Sequence, residues 1–351
     1  MWTDETRARY DRRALRYTHD LTDEEWAEIA PLIPPSRPGG NKRTVNMREV
    51  VNGLMYILGT GCQWRDIPKD LPPRSTIYDY LDRWIHDDTL ERIHHILYVQ
   101  CRELADREAS PTAAVIDSQS VKSAEKGGSC IDPHGYDAGK KIKGKKRHIV
   151  VDTTGLLMHA IVHAADVQDR DGGVMLMATL FGLYPFLLKL YADGGYQGPE
   201  FRNAMRQIMA QLNVEIVKRS DQAKGFVVLP KRWVVERTFA WLNRCRRLAK
   251  DWECLNRKAR AFLLLASVRL MLRLGDRALG EGYSVLLRVC IAEPTTFCQS
   301  GHRQTSRGFS VMSSSQVSCS RYPPFGRSRV SRRTANRDHS SAHLPANSCP
   351  D

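Results

Sequence analysis

The sequence predicts an α/β fold, a mixed sheet flanked by helices and preceded by a small all-helical region, on three observations. Between about residues 112 and 220, short apolar runs that stop at an aspartate or a turn alternate with helix-period segments. From about 20 to 105 the apolar residues keep helical spacing only, broken by Gly/Pro turns. From about 276 onward Ser and Arg dominate without apolar period, a composition that buries too little surface to offset the entropy of ordering. The expected organisation is an N-terminal arm (1–19), a helical region (20–110), a sheet-containing region (111–275) and a disordered basic tail (276–351). That tail reads either as an arm that grips DNA or as unselected coding downstream of an ancestral stop, and its scattered Cys, Arg, Ser and Pro favour the second.

The first helix is expected after Thr22, an N-cap with Glu25 three residues on. Residues 31–43 break the pattern with prolines and glycines. Met47, Val50, Val51, Leu54, Ile57 and Leu58 then share one helical face. After a further turn, Ser75 and Thr76 lead a helix with apolar residues at 77, 81 and 84. A helix, a turn and a second Ser/Thr-led helix fit a helix-turn-helix reader of double-stranded DNA, whose groove-facing residues would be Arg74, Ser75, Thr76 and Tyr78. A small helical bundle with no DNA role gives the same pattern, and both readings stay open.

In the sheet region, residues 112–116 form a strand ending at Asp117, and 147–152 with 156–164 form a hairpin about Thr153, Thr154 and Gly155. A helix (171–183), a strand (187–191) ending before Asp193, a helix opened by Pro199 (199–212) and a last strand (214–217) follow. Residues 231–250 read as one strongly basic helix with Val234, Thr238, Trp241, Cys245 and Leu248 on one face. Glu236 lies off that face, the single acid among seven Lys and Arg of this segment.

A formal charge of +14 implies a polyanionic partner, because each Lys or Arg set against a phosphate releases counterions. The longest apolar runs, such as 261–267, are far short of the roughly 20 residues that span a bilayer. The N-terminus is charged and has no apolar leader, so a cytoplasmic, nucleoid-associated protein is expected, with no membrane partner. Nine cysteines without a CxxC pair argue against structural zinc and are expected to be reduced thiols.

Asp117 and Asp193 stand at strand ends, where sheet proteins gather ligands, and Gly194 and Gly195 let the chain turn after the second acid. Either motif alone is also an ordinary strand end or turn. A lone Glu236 in a basic, aromatic-bearing helix suits a metal ligand beside a DNA backbone. Three carboxylates without a matching Cys/His set favour hard cations, two Mg²⁺ or Mn²⁺ ions, for work on a phosphodiester. Lys140, Lys141, Lys143, Lys145, Lys146 and Arg147 are expected to form a mobile, phosphate-gripping loop. His148, His159 and His163 are expected to be structural.

The segments VIDSQSV, HIVVDTTGLL, ADGGYQG and RWVVERTFAWLNRCRRL, in that order, resemble the DDE transposases of bacterial insertion sequences. The compact subgroup with a helical N-terminal region bearing motifs like GCQWRDIP and STIYDYLDRW is the most similar. The likeness runs from about residue 20 to 275. It implies an RNase H-like catalytic fold, with Asp117, Asp193 and Glu236 as catalytic metal ligands. It also implies an enzyme that cuts at inverted-repeat ends and joins the freed 3′-hydroxyls to target DNA, as a homodimer. Relatives place an Arg four residues before the Glu, matched here by Arg232, but their flanking Tyr and Lys are replaced by Leu229 and Asn243. Arg237, Arg244 and Arg247 complete the basic face expected against DNA, with Arg244 standing in for the missing Lys. A nuclease that cuts without joining, and a decayed copy that only binds DNA, are the alternatives.

Overall fold

A computed structural model of the protein describes residues 11–36, 39, 42–125, 130–217 and 232–278. The tail expected beyond 276 falls almost wholly outside them. Its first helix, α1 (Asp23–Ile29), starts as the sequence dictates: the Thr22 hydroxyl accepts from the Glu25 amide at 3.1 Å, and Glu25 accepts from the Thr22 amide at 3.0 Å. α2 (Met47–Thr60) is capped by Asn46 and closed by Gly61 in the left-handed region. It buries Val50, Val51, Leu54, Ile57 and Leu58 against Ile77 and Leu81 of α3 (Arg74–His86), and α4 (Thr89–Glu103) follows.

The sheet holds β1 (Ala113–Lys122), β2 (Gly135–Asp137), β3 (Ile142–Asp152), β4 (Leu157–Ala164), β5 (Lys189–Ala192) and β6 (Asn213–Ile216). Its order is β2-β3-β1-β5-β6, with β4 also paired to β3. β1, β5 and β6 run parallel, while β3 is antiparallel to β1 and β4. The helices are α5 (Asp169–Thr179), α6 (Pro199–Ile208), α7 (Arg232–Leu242) and α8 (Asn256–Ala278). This is the RNase H-like arrangement, a mixed sheet between helical layers.

Three expected features are corrected. Most of the basic run is strand rather than loop: Lys140 and Lys141 lie exposed in the turn before β3 and Lys143 exposed on it, whereas Lys145, Lys146 and Arg147 lie buried on β3. Alternation along the strand sends Lys145 to Asn256 (2.5 Å) and Arg147 to the carbonyls of Leu248 and Lys250, toward α7 and α8. Lys146 and His148 point the other way, to Asp169 and Tyr196 beside α5. Buried cations thus tie the sheet to both helical layers, each satisfied by hydrogen bonds as burial requires. Second, the basic helix ends at Leu242; Cys245 donates to the Leu242 carbonyl at 3.0 Å and a 3₁₀ turn carries Arg246–Leu248. Cys62, Cys245 and Cys254 are free thiols, whereas Cys130 is disulfide-bonded, against the expectation of reduced thiols throughout.

α8, which the sequence reading did not single out, is apolar around most of its circumference and packs on α4 and β4. No helix among the described residues is long and apolar enough to cross a membrane. The α4–sheet junction is fixed by Asp152, which is fully buried and accepts from the Thr154 and Leu156 amides (2.8 and 3.0 Å), from Thr154 Oγ1 and from Arg102. Removing one member of a buried pair strands the other charge, so Asp152→Ala is expected to cost about 3–5 kcal/mol. At about 2–4 °C per kcal/mol that is a fall of roughly 10 °C in Tm, read by circular dichroism. A loss under about 1 kcal/mol would show that the pair does not hold the junction.

Candidate active site

The register of the parallel strands brings two acids level. Val115 of β1 pairs with Tyr191 of β5 as the last rung of that ladder, and Asp117 and Asp193 each follow two residues later; the charge of Asp193 is felt at Asp117. Asp117 sits across from Ile149 of β3, midway along β1 rather than at its end as expected, because pairing with β3 carries the strand on to Lys122. Asp193 caps the 3₁₀ turn Gly194–Tyr196, its Oδ1 accepting from the Gly195 amide at 2.8 Å, while Oδ2 faces Arg232. The glycine pair therefore supplies the sharp turn expected of it.

Glu236 comes from α7, whose Val234, Val235, Thr238 and Phe239 are buried against the sheet while Glu236 is exposed. Thr238 Oγ1 donates to the Gly155 carbonyl at 2.8 Å and Arg237 to that of Thr154 at 2.8 Å, which fixes α7 on the β3–β4 turn. Arg232, one turn before Glu236, joins the acids: its Nη2 lies 3.7 Å from Asp193 Oδ2 and its Nε 3.5 Å from Glu236 Oε1. Burial, and secondarily the charge of Asp193, pushes the Asp117 carboxyl up to about 6, opposed by the Ser118 amide, Arg232 and Lys140. The three acids thus meet around one guanidinium. Among the described residues, however, no three His, Cys, Asp or Glu side chains stand close enough as they are to hold a metal ion.

A fourth acid, missed in the sequence, lies beside them. Asp169, at the start of α5, accepts from Ser118 Oγ at 2.8 Å and pairs with Lys146 at 3.0 Å; Lys146 in turn reaches Asp137 at 3.6 Å. A Cβ on Gly195 would fall 3.0 Å from Asp193 Oδ1 and 3.2 Å from Asp169 Oδ2, so both carboxylates approach this residue. Tyr196 is buried between them, its hydroxyl 3.1 Å from His148 Nδ1. α5 can lie this close because Gly172 has no side chain: a Cβ there would fall 2.4 Å from His148 Nε2 and 2.6 Å from His163 Nε2. The only local signal for Asp169 was its place near a helix start, which acidic residues favour for other reasons.

The expected DNA contacts divide. Arg74 and Ser75 are exposed at the start of α3 and Thr76 is half-buried. Tyr78 lies beneath the Lys258 ammonium, 3.6 Å from the ring centre, and against Trp64. Lys140 donates to the Ser118 carbonyl at 3.2 Å, which places its exposed chain next to Asp117. Arg244 is exposed. Arg237 is held between Trp233 and Trp241, 4.3 and 4.6 Å from their ring centres. Arg247 is buried on Glu253 (2.7 Å) and the Cys62 carbonyl (2.9 Å), so it locks the turn after α2 rather than facing DNA.

Fold and site define an RNase H-like protein with acids gathered from midway along β1, from just past β5 and from α7. The transposase DDE domain matches residues 108–271, and the putative transposase of the IS4/5 family matches residues 21–94. The chain is 30% identical over 113 residues to the uncharacterized 16.2 kDa protein of insertion element IS402 of Burkholderia cepacia, covering 30% of this chain and 76% of that relative. It is 36% identical over 117 residues to a putative transposase for insertion sequence element IS402 of the same organism, 31% of this chain and 54% of the relative. An uncharacterized protein, y4sN, of Sinorhizobium fredii is 26% identical over 102 residues, 29% of this chain and 75% of that protein. No solved structure matches. The chain belongs to the DDE transposases of insertion sequences.

Proposed function

We propose that this transposase binds the ends of its own element, cleaves phosphodiester bonds there and transfers the 3′-hydroxyls to target DNA. Asp117, Asp193 and Glu236 act as the catalytic acids. The supporting observation is the meeting of acids from three distant segments around Arg232, with Asp117 held up by burial and by Asp193. DDE domains use divalent metals, and these carboxylate oxygens suit Mg²⁺ or Mn²⁺ chemically. Two such ions would supply Lewis-acid stabilisation and an activated attacking oxygen.

The chain's own groups do the rest. Lys140, exposed beside Asp117, and the exposed Lys141, Lys143 and Arg244 would hold backbone phosphates, while Arg74, Ser75 and Thr76 would face the duplex groove. Ser118, Asp169 and Lys146 brace the strand that carries Asp117. The active complex is proposed to be a homodimer acting in the cytoplasm, at the nucleoid. The test is the full chain with Mg²⁺ and a supercoiled plasmid carrying the element's terminal inverted repeats. Ends cut and joined to target DNA are expected. Cutting without joining would overturn strand transfer in favour of a simple nuclease, and binding without nicking would point to a decayed copy.

A further inference from the structure

The acids of this site have the chemistry to share a cation but do not stand close enough to do so. One side chain lies between two of them. Arg232 places its guanidinium between Asp193 and Glu236, at 3.7 and 3.5 Å. Neither distance is that of a short hydrogen bond, and Nε is buried without a hydrogen-bond partner among the described residues. Its contacts with the two carboxylates are therefore ion pairs rather than short hydrogen bonds. Two neighbouring cations of the same segment are fixed differently: Arg237 by a carbonyl and two indole faces, Arg247 by a buried carboxylate. Arg232 is anchored by the carboxylates of the site.

Resting on the metal-dependent reading above, we infer that Arg232 is the resident cation of the metal-free site, displaced by the divalent ion and thereby released to a DNA phosphate. Guanidinium and metal compete for the same carboxylate oxygens, so loading one expels the other. A freed guanidinium fork matches a phosphate with two parallel hydrogen bonds. Metal loading then strengthens DNA binding, and by reciprocity DNA strengthens metal binding. A residue that merely braced the triad would behave oppositely, since its loss would weaken the metal site.

Mn²⁺ affinity of the full chain without DNA, measured by calorimetry, separates these cases. Arg232→Gln removes the competitor and is expected to bind Mn²⁺ about fivefold or more tightly than wild type. In parallel, fluorescence anisotropy with an inverted-repeat duplex should show wild type gaining DNA affinity on addition of Ca²⁺. Arg232→Gln should lose that gain. Arg232→Ala carries the same expectations should the Gln variant not fold. Unchanged or weaker Mn²⁺ binding in a folded variant would overturn the inference while leaving the metal-dependent reading intact. Absence of Mn²⁺ binding by wild type, with or without DNA, would overturn both.

Discussion

Asp117→Asn is expected to abolish strand cleavage while leaving the protein folded and bound to DNA. The substitution keeps the size of the side chain and removes the charge at the centre of the acid group. Asp117 is the member most shaped by its surroundings: burial raises its carboxyl to about 6, and the charge of Asp193 adds to the rise. Such a group is costly to ionise in the free protein and is well placed to gain from a cation. Losing several kcal/mol of transition-state stabilisation corresponds to a fall of about 10³-fold or more in cleavage rate. Measured without divalent metal, duplex affinity should be unchanged or slightly higher, because the proposed phosphate contacts remain and a nearby negative charge is gone. Stability should not fall, since a neutral amide replaces a partly buried charge. Plasmid cleavage in Mg²⁺, anisotropy on an end duplex and a melting curve report the three expectations separately. Cleavage within tenfold of wild type would remove Asp117 from the catalytic group.

How much of this was legible in the sequence depended on whether the signal was local. The capping box of Thr22 and Glu25, the apolar face of residues 47–58 and the strand leading to Asp117 follow from neighbours a few residues apart, and the structure has them. Asp193 was readable because Gly194 and Gly195 mark the turn that exposes it. The β3 cations were misread because Lys and Arg report exposure only when their partners are water. Here the partners are Asn256, the Leu248 carbonyl and Asp169, remote in the chain and invisible to any local pattern. The same holds for Arg247, whose partner carbonyl belongs to Cys62. α8 escaped notice because it is buried on most sides and so lacks the amphipathic period that identifies a surface helix. Asp169 became meaningful only once β1 and α5 were packed together.

Mild acid is expected to destabilise the protein steeply, starting near pH 6.5 rather than in the carboxylate range. Burial lowers His94, His148 and His159 to about 3 and His19 to about 4, with neighbouring charges lowering them further. His94 is held neutral against Ser267 at 3.0 Å, and His148 against Tyr196. The unfolded chain binds protons on these rings from about pH 6.5 downward, while the folded chain resists until about 3 to 4. Proton binding to the unfolded state in that window pulls the equilibrium away from the native state. Their contribution is therefore complete above pH 6.5 and is lost progressively as pH falls. Asp117 works the other way, because its raised carboxyl takes up a proton in the folded state between about 6 and 3.8, but it is one group against four. At pH 5, about 1.5 units below the unfolded-state value, His94 and His148 alone account for roughly 4 kcal/mol, a large part of the whole stability of many domains. Melting curves at constant ionic strength should show a plateau above pH 7 and a fall of more than about 10 °C by pH 5. His148→Gln, which keeps a hydrogen bond to Tyr196 without a titrating ring, should flatten that slope. A Tm that stays level from pH 7 to pH 5 would mean that the buried imidazoles are protonated in the fold and that their burial is not what limits its stability.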